Sequence, residues 1–340
     1  MSEQRPRVQV GLGELVAAVP HIAGYYPSDG SLAILALDGA RLGPTVVLYA
    51  QPERPMTHLD LVGALDKVAQ HFISEQFTKC ILVGYGLAGA ELASRADIVL
   101  NLDGVHAEEA VVVDGRRWRI IGPDPISTFD LLPSPPASII NQYPTPAPTR
   151  EAAQSSMSRS PLSVHEQLGR VAENELAGSK QVSLDEVTGT LREMGANIKS
   201  GRTPDVIDVA RVAAFMASHA NNRDAVIIKL AASSSELDAV VGLAQCARMC
   251  QESAVPAVAG AAACVGYVTG RLGVPHVSEL AQMAGAENRL GQLVRFCAEN
   301  GINPQLVRES LERRSKSMSV PKPGLRPLEH QSIGPPGPAI

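Results

Sequence analysis

The sequence predicts an α/β N-terminal domain, a mixed sheet with flanking helices, followed by an all-α helical-hairpin domain of the tetratricopeptide (TPR-like) kind. Three observations predict it. Up to about residue 122, short runs of β-formers alternate with apolar residues at helical spacing. From 162 to 317 every periodic stretch has the helical period. Prolines punctuate the chain: nine of the 25 fall within 123–161 and six within 320–340. The expected organisation is therefore an α/β domain over 1–122, a Pro-rich linker or crossing segment over 123–161, an all-helical domain over 162–317 and a disordered Pro-rich tail over 318–340.

The elements follow in order. Leu12, Leu15, Val16 and Val19 recur at helical spacing, so residues 12–24 form a short helix, interrupted near Pro20. SLAILAL at 31–37 follows a Pro-Ser-Asp-Gly turn and reads as a buried strand, paired as a hairpin with TVVLYA at 45–50. Thr57 with Asp60 marks a helix start, and Leu61, Leu65, Val68 and Phe72 share its apolar face. A strand at 80–83 leads into a helix from about Leu87. Strands at 109–113 and 118–121 flank Asp114-Gly115, a strong hairpin signal.

Beyond the proline cluster, Ser183 with Glu186 is a capping box for a helix that Gly195 should stop. Further helices are expected near 163–177, 205–219, 223–231, 236–253, 256–271, 276–285, 288–299 and 304–315. The uncharged stretch AVAGAAACVGYVTG at 257–270 reads as the buried centre of a bundle, because Gly and Ala let neighbouring helices approach closely.

Composition excludes several classes. With 45% hydrophobic and 19% charged residues, the 340-residue chain can bury a full core. A net charge of −5 and only 4% aromatic residues argue against nucleic acid as a partner. Cys80, Cys246, Cys250, Cys264 and Cys297 are odd in number and form no CxxC pair, so reduced thiols and a cytoplasmic location are expected. Gly11, Gly13 and Glu14 interrupt the N-terminal apolar stretch, which argues against a signal peptide, and the longest uncharged run is too rich in Ala and Gly for a membrane span.

Four stretches carry a family resemblance: GELVAAVPHIAGYYPSDGSLAILAL from Gly13, VVVDGRRWRIIG from Val111, PTPAPTREAA from Pro144, and RLGQLVRFCAENGINPQLVRESLERR from Arg289. In this order, over about 11–316, the chain resembles the actinobacterial domain of unknown function 4192 family. It departs from the pattern after Trp118, where many members carry cysteines and this chain has IIGPDPISTFD. The resemblance implies an actinobacterial, cytoplasmic protein and no particular mechanism.

Gly84, Gly86 and Gly89 fit G-x-G-x-x-G between a strand and a helix, the context of a phosphate-cradling turn. The acidic residue that a dinucleotide site needs about 20 residues on is poorly supplied. Asp103 precedes the next strand and Asp114 belongs to the hairpin. A plain strand-to-helix turn needs the same glycines. Cys246 and Cys250 share a helix face that suits core packing better than a metal. His219, Cys264 and His276 could complete a site only through the fold. Arg117 and Arg119 share one strand face and Trp118 points the other way with Arg116, as on an edge strand blunted by charge.

The eight histidines show no HxH or HExxH, and no GxSxG elbow is present. Catalytic residues, metal ligands and a cofactor are thus not assigned. The leading expectation is a non-enzymatic interaction or regulatory protein whose helical domain binds a protein partner, with homo-oligomers open. The alternative is a nucleotide-binding enzyme or switch using Gly84, Gly86 and Gly89.

Overall fold

A computed structural model describes residues 11–39, 41–49, 57–122, 128–160, 182–232 and 237–300, together with 302, 304 and 306–309. The N-terminal half is a mixed six-stranded sheet with helices on both faces. Its elements are α1 (Leu12–Ala23), β1 (Leu32–Asp38), β2 (Arg41–Leu48), α2 (His58–Ser74), β3 (Lys79–Tyr85), α3 (Gly86–Leu102), β4 (His106–Asp114), β5 (Arg117–Ile120) and β6 (Asp130–Leu131). The strand order is β2-β1-β3-β4-β5-β6. Only β3 and β4 run parallel, joined by α3. The other neighbours are antiparallel.

The continuous apolar run of β1 has a simple cause. The strand is central in this half of the sheet and both its faces are covered. Leu32, Ile34 and Ala36 pack with Leu82 of β3 against Leu61, Leu65 and Phe72 of α2 and Ala93, Ala96 and Leu100 of α3. Ala33, Leu35 and Leu37 face the other way, with Val83, Val111 and Val113, against Val16 and Val19 of α1. The Thr57–Asp60 capping box opens α2 as expected. α1 runs through Pro20 and ends on Gly24, whose N–H donates to the Pro20 carbonyl at 2.9 Å.

The helical half contains α6 (Leu184–Lys199), α7 (Val206–Ser218), α8 (Ala220–Ala232), α9 (Leu237–Met249), α10 (Val255–Thr269), α11 (Val274–Met283) and α12 (Arg289–Glu299). As expected, α10 is its centre: every residue from Val258 to Val268 is buried, and α7, α8, α9, α11 and α12 all pack on it. The Ser183–Glu186 capping box opens α6, but Gly195 does not end that helix. Gly195 lies where α6 crosses α9. A Cβ there would run into the Asp238 carbonyl, and one on Gly242 of α9 would run into the Leu191 carbonyl. Two backbones touch at this crossing, so the glycine provides close approach rather than a cap. The helix expected at 163–177, most of that expected at 304–315 and the tail lie outside the described residues.

The Pro-rich stretch carries β6, α4 (Ala137–Ile140) and α5 (Arg150–Ser156), which the sequence reading did not anticipate. It packs on both halves. The Leu132 N–H donates to the Arg116 carbonyl (2.9 Å), Ala147 exchanges two backbone hydrogen bonds with the α1 exit, at Gly24 and Tyr26 (3.0 Å each), and α5 lies on α11. At its end the Arg248 Nε donates to the Ser158 carbonyl (2.8 Å) and the Ser160 N–H to the Arg248 carbonyl (3.0 Å).

The glycine crossing sets a paired expectation. Gly242→Ala should destabilise by roughly 1–3 kcal/mol, because the methyl meets backbone. Gly189→Ala, in α6 with nothing within 4 Å of the new methyl, should stabilise by about 0.5–1 kcal/mol through helix propensity alone. Urea denaturation of both variants measures the contrast. Equal effects would remove the crossing as the reason for Gly242.

Candidate functional site

β3 ends at Tyr85 and α3 begins at Gly86, whose φ of +67° an L side chain rarely adopts. The turn lies against the start of β1: Gly30 N–H donates to the Tyr85 carbonyl (2.8 Å), and Tyr85 N–H to the Ser31 carbonyl (3.0 Å). The fold brings Gly84, Gly86 and Gly89 together, and each glycine meets protein. A Cβ on Gly84 would run into the Gly89 carbonyl. One on Gly89 would come within 2.7 Å of the Ser31 carbonyl. One on Gly86 would run into the Asp29 carboxylate. Strand-to-helix packing is thus a sufficient cause for all three. The two acidic residues weighed for a dinucleotide lie elsewhere. Asp103 caps the opposite end of α3, about 25 Å along the helix at 1.5 Å per residue. Asp114 closes the β4–β5 hairpin opposite Arg117.

Beside this turn lies a cluster that the sequence reading missed. The α1 exit supplies Tyr25 and Ser28, the end of β2 leads to Tyr49, and the start of α5 supplies Arg150 and Glu151. The Arg150 guanidinium stands 5.2 Å above the centre of the Tyr49 ring. The Tyr49 hydroxyl donates to Glu151 Oε1 at 3.1 Å. Burial, then the Glu151 carboxylate, push the Tyr49 phenol up, while Ser28 pulls it down. The Glu151 carboxyl is held below its ordinary range, first by its own backbone N–H and then, against desolvation, by Tyr49, Thr149 and Arg150. Tyr25 is only 4% exposed; burial raises its phenol and the Arg150 charge opposes the rise. Deeper still, the Tyr85 hydroxyl is buried with no hydrogen-bond partner. Burial drives its phenol far up, with Tyr25 adding to the effect.

The remaining candidates are dispersed. Cys246 and Cys250 point into the helical core, at 3.7 Å from the Val209 carbonyl and 3.6 Å from the Ala247 carbonyl. All five cysteines are buried. Burial lifts the thiols, pushing Cys80, Cys250 and Cys264 up to about 12. His219 is exposed at the end of α7, Cys264 is inside α10, and His276 lies at the α1 exit, so the fold does not gather them. Among the described residues no group of three His, Cys, Asp or Glu side chains could hold a metal, and no helix is long and apolar enough to cross a membrane. Trp118 packs inward against Gly13 of α1, and the Arg119 guanidinium lies 5.0 Å over the Phe129 ring.

His276, in α11, is 4% exposed, and burial lowers its pKa from 6.5 to about 4. The folded value lies below the unfolded one. Between those values the unfolded chain binds the extra proton, and stability falls as pH falls from 6.5 towards 4. His276→Gln removes that titration. From pH 7 to pH 4 the wild type should lose roughly 3 kcal/mol more than the variant in urea unfolding. Equal losses would mean that His276 takes up its proton without cost.

The family model described as "Domain of unknown function (DUF4192)" matches residues 13–305. None of the curated proteins compared with the chain matches it. None of the solved structures does either. The family match spans the sheet half, the seam with its tyrosine–arginine cluster, and the helices through α12, and the chain belongs to this domain of unknown function 4192 family.

Proposed function

We propose that the protein is a non-enzymatic interaction or regulatory protein of the cytoplasm, and that its helical half binds a protein partner. One observation carries this reading. α12 buries Gly291, Val294 and Cys297, yet its outer face presents Leu293 and Phe296 at 54% and 56% exposure. Three residues apart on a helix, these two side chains are neighbours. Leu306, just beyond, is 53% exposed. A lone exposed leucine is ordinary, whereas adjacent large apolar groups suit a partner surface.

The chemistry elsewhere agrees. Buried, protonated thiols make poor nucleophiles and suit a reducing compartment. The alternative reading, a nucleotide-binding enzyme or switch at Gly84, Gly86 and Gly89, rests on a single feature. α3 starts at the C-terminal end of β3, where open α/β sheets take ligands. The Asp29 carboxylate against Gly86 weighs on the other side, because a phosphate there would meet a like charge.

A photo-crosslinking amino acid at position 296 of the full chain, in its native host, should give a discrete heavier adduct that Leu293→Glu abolishes. The same probe at Ser200, exposed at the end of α6, should give none. Absence of an adduct at 296 rejects the partner surface. Saturable nucleotide binding, lost in Gly86→Val while the fold survives, would favour the alternative.

A further inference from the structure

We propose that the outer face of α12 takes one amphipathic helix of a protein partner, and that this helix carries a carboxylate at one end of its apolar stripe. The proposal rests on the partner surface put forward above and adds the partner's chemistry. At 3.6 residues per turn, Arg289, Leu293 and Phe296 fall within about 60° of one another around the helix axis. All three are exposed. The face therefore presents a cation, then a leucine, then a phenylalanine, one turn apart. The other charges of α12 cancel on its flank, where the Arg295 Nε donates to Glu299 Oε1 at 2.6 Å. Arg289 makes no ion pair among the described residues, with Glu287 in the turn before the helix or with any other acid.

The place of the arginine is a separate observation. Arg289 is the first residue of α12, directly after the N-cap Asn288, and the first turn holds no acidic residue. The positive end of the helix dipole lies there and favours anions, so a cation at this position works against the helix that bears it. A carboxylate from outside meets the guanidinium and the helix end together. Leu293 and Phe296 follow within two turns, and take apolar side chains spaced at the same period. A partner helix with apolar residues three or four positions apart and an acid one turn away supplies both in one rigid element. A nucleic-acid backbone suits the face less well, because its row of phosphates would meet one cation, two apolar side chains and the Glu299 carboxylate.

The photo-crosslinker at position 296 of the full chain, in its native host, tests this through the adduct and the partner peptide joined to it. Arg289→Glu should cut the adduct about tenfold or more, and Arg289→Gln by a smaller factor. The joined peptide should hold an Asp or Glu within about two helical turns of the crosslinked residue. Changing that acid to Arg in the partner should restore the adduct to the Arg289→Glu chain. Arg289→Glu gives the first turn the charge its dipole favours, so the fold should survive, and an unchanged urea midpoint checks it. Wild-type yield in Arg289→Glu, or a loss that no such acid-to-Arg change restores, overturns the proposal and leaves the partner surface standing. An adduct with nucleic acid or with a second copy of this chain overturns it as well. Absence of any adduct in the wild type rejects the partner surface itself, and this proposal with it.

Discussion

The two halves of this protein meet through bare backbone, and most of its other arrangements depend on that contact. Gly24 ends α1 with a φ of +84°, and Gly273 caps the start of α11. A Cβ on Gly273 would run into the Ala23 carbonyl, and one on Gly24 would come within 2.8 Å of the His276 ring. Side chains on these residues would push the helical half off the sheet half. With both glycines in place, α1 serves both halves. Its inner face covers the sheet through Val16 and Val19, its first turn lies on Trp118 and Pro133, and its last residue meets α11. The burial of His276 and the seating of α5 on α11 follow from the same approach.

The Pro-rich stretch completes the seam, and proline chemistry explains how. A chain without many backbone donors forms little regular structure of its own, so its remaining N–H and C=O groups pair with whatever lies beside them. Ala147 pairs with the α1 exit, Leu132 with the β4–β5 hairpin, and Ser158 and Ser160 with Arg248 at the end of α9. Each of these bonds is modest, near 1 kcal/mol net. Together they fix the path that delivers Arg150 to Tyr49.

Much of the fold was legible because it rests on local patterns. The apolar run of β1, the capping boxes at Thr57 and Ser183, the Asp114-Gly115 hairpin and the small-residue centre of α10 each have a cause within a few residues of sequence. The misreadings have a different origin. Gly195 looked like a helix stop because the residue that explains it, Asp238, is more than forty positions away. β6 and α5 were invisible because proline density hid short elements that only the seam stabilises. The tyrosine–arginine cluster was illegible for the same reason. Tyr25, Tyr49 and Arg150 carry no spacing signal, and the one available clue was that Tyr25 and Arg150 fall in separate stretches of the family resemblance.

Glycine is the residue on which the functional reading turns, and what its missing side chain would touch gives each glycine a structural cause. A phosphate turn and a tight packing junction use the same G-x-G-x-x-G pattern, because both require backbone to approach something closely. In this chain the neighbours of Gly84 and Gly89 are backbone groups of the turn and of Ser31, just before β1, and the neighbour of Gly86 is the Asp29 carboxylate. Gly195, Gly242 and Gly273 obey the same logic at helix crossings and at the seam. The glycines therefore hold the protein's own elements together.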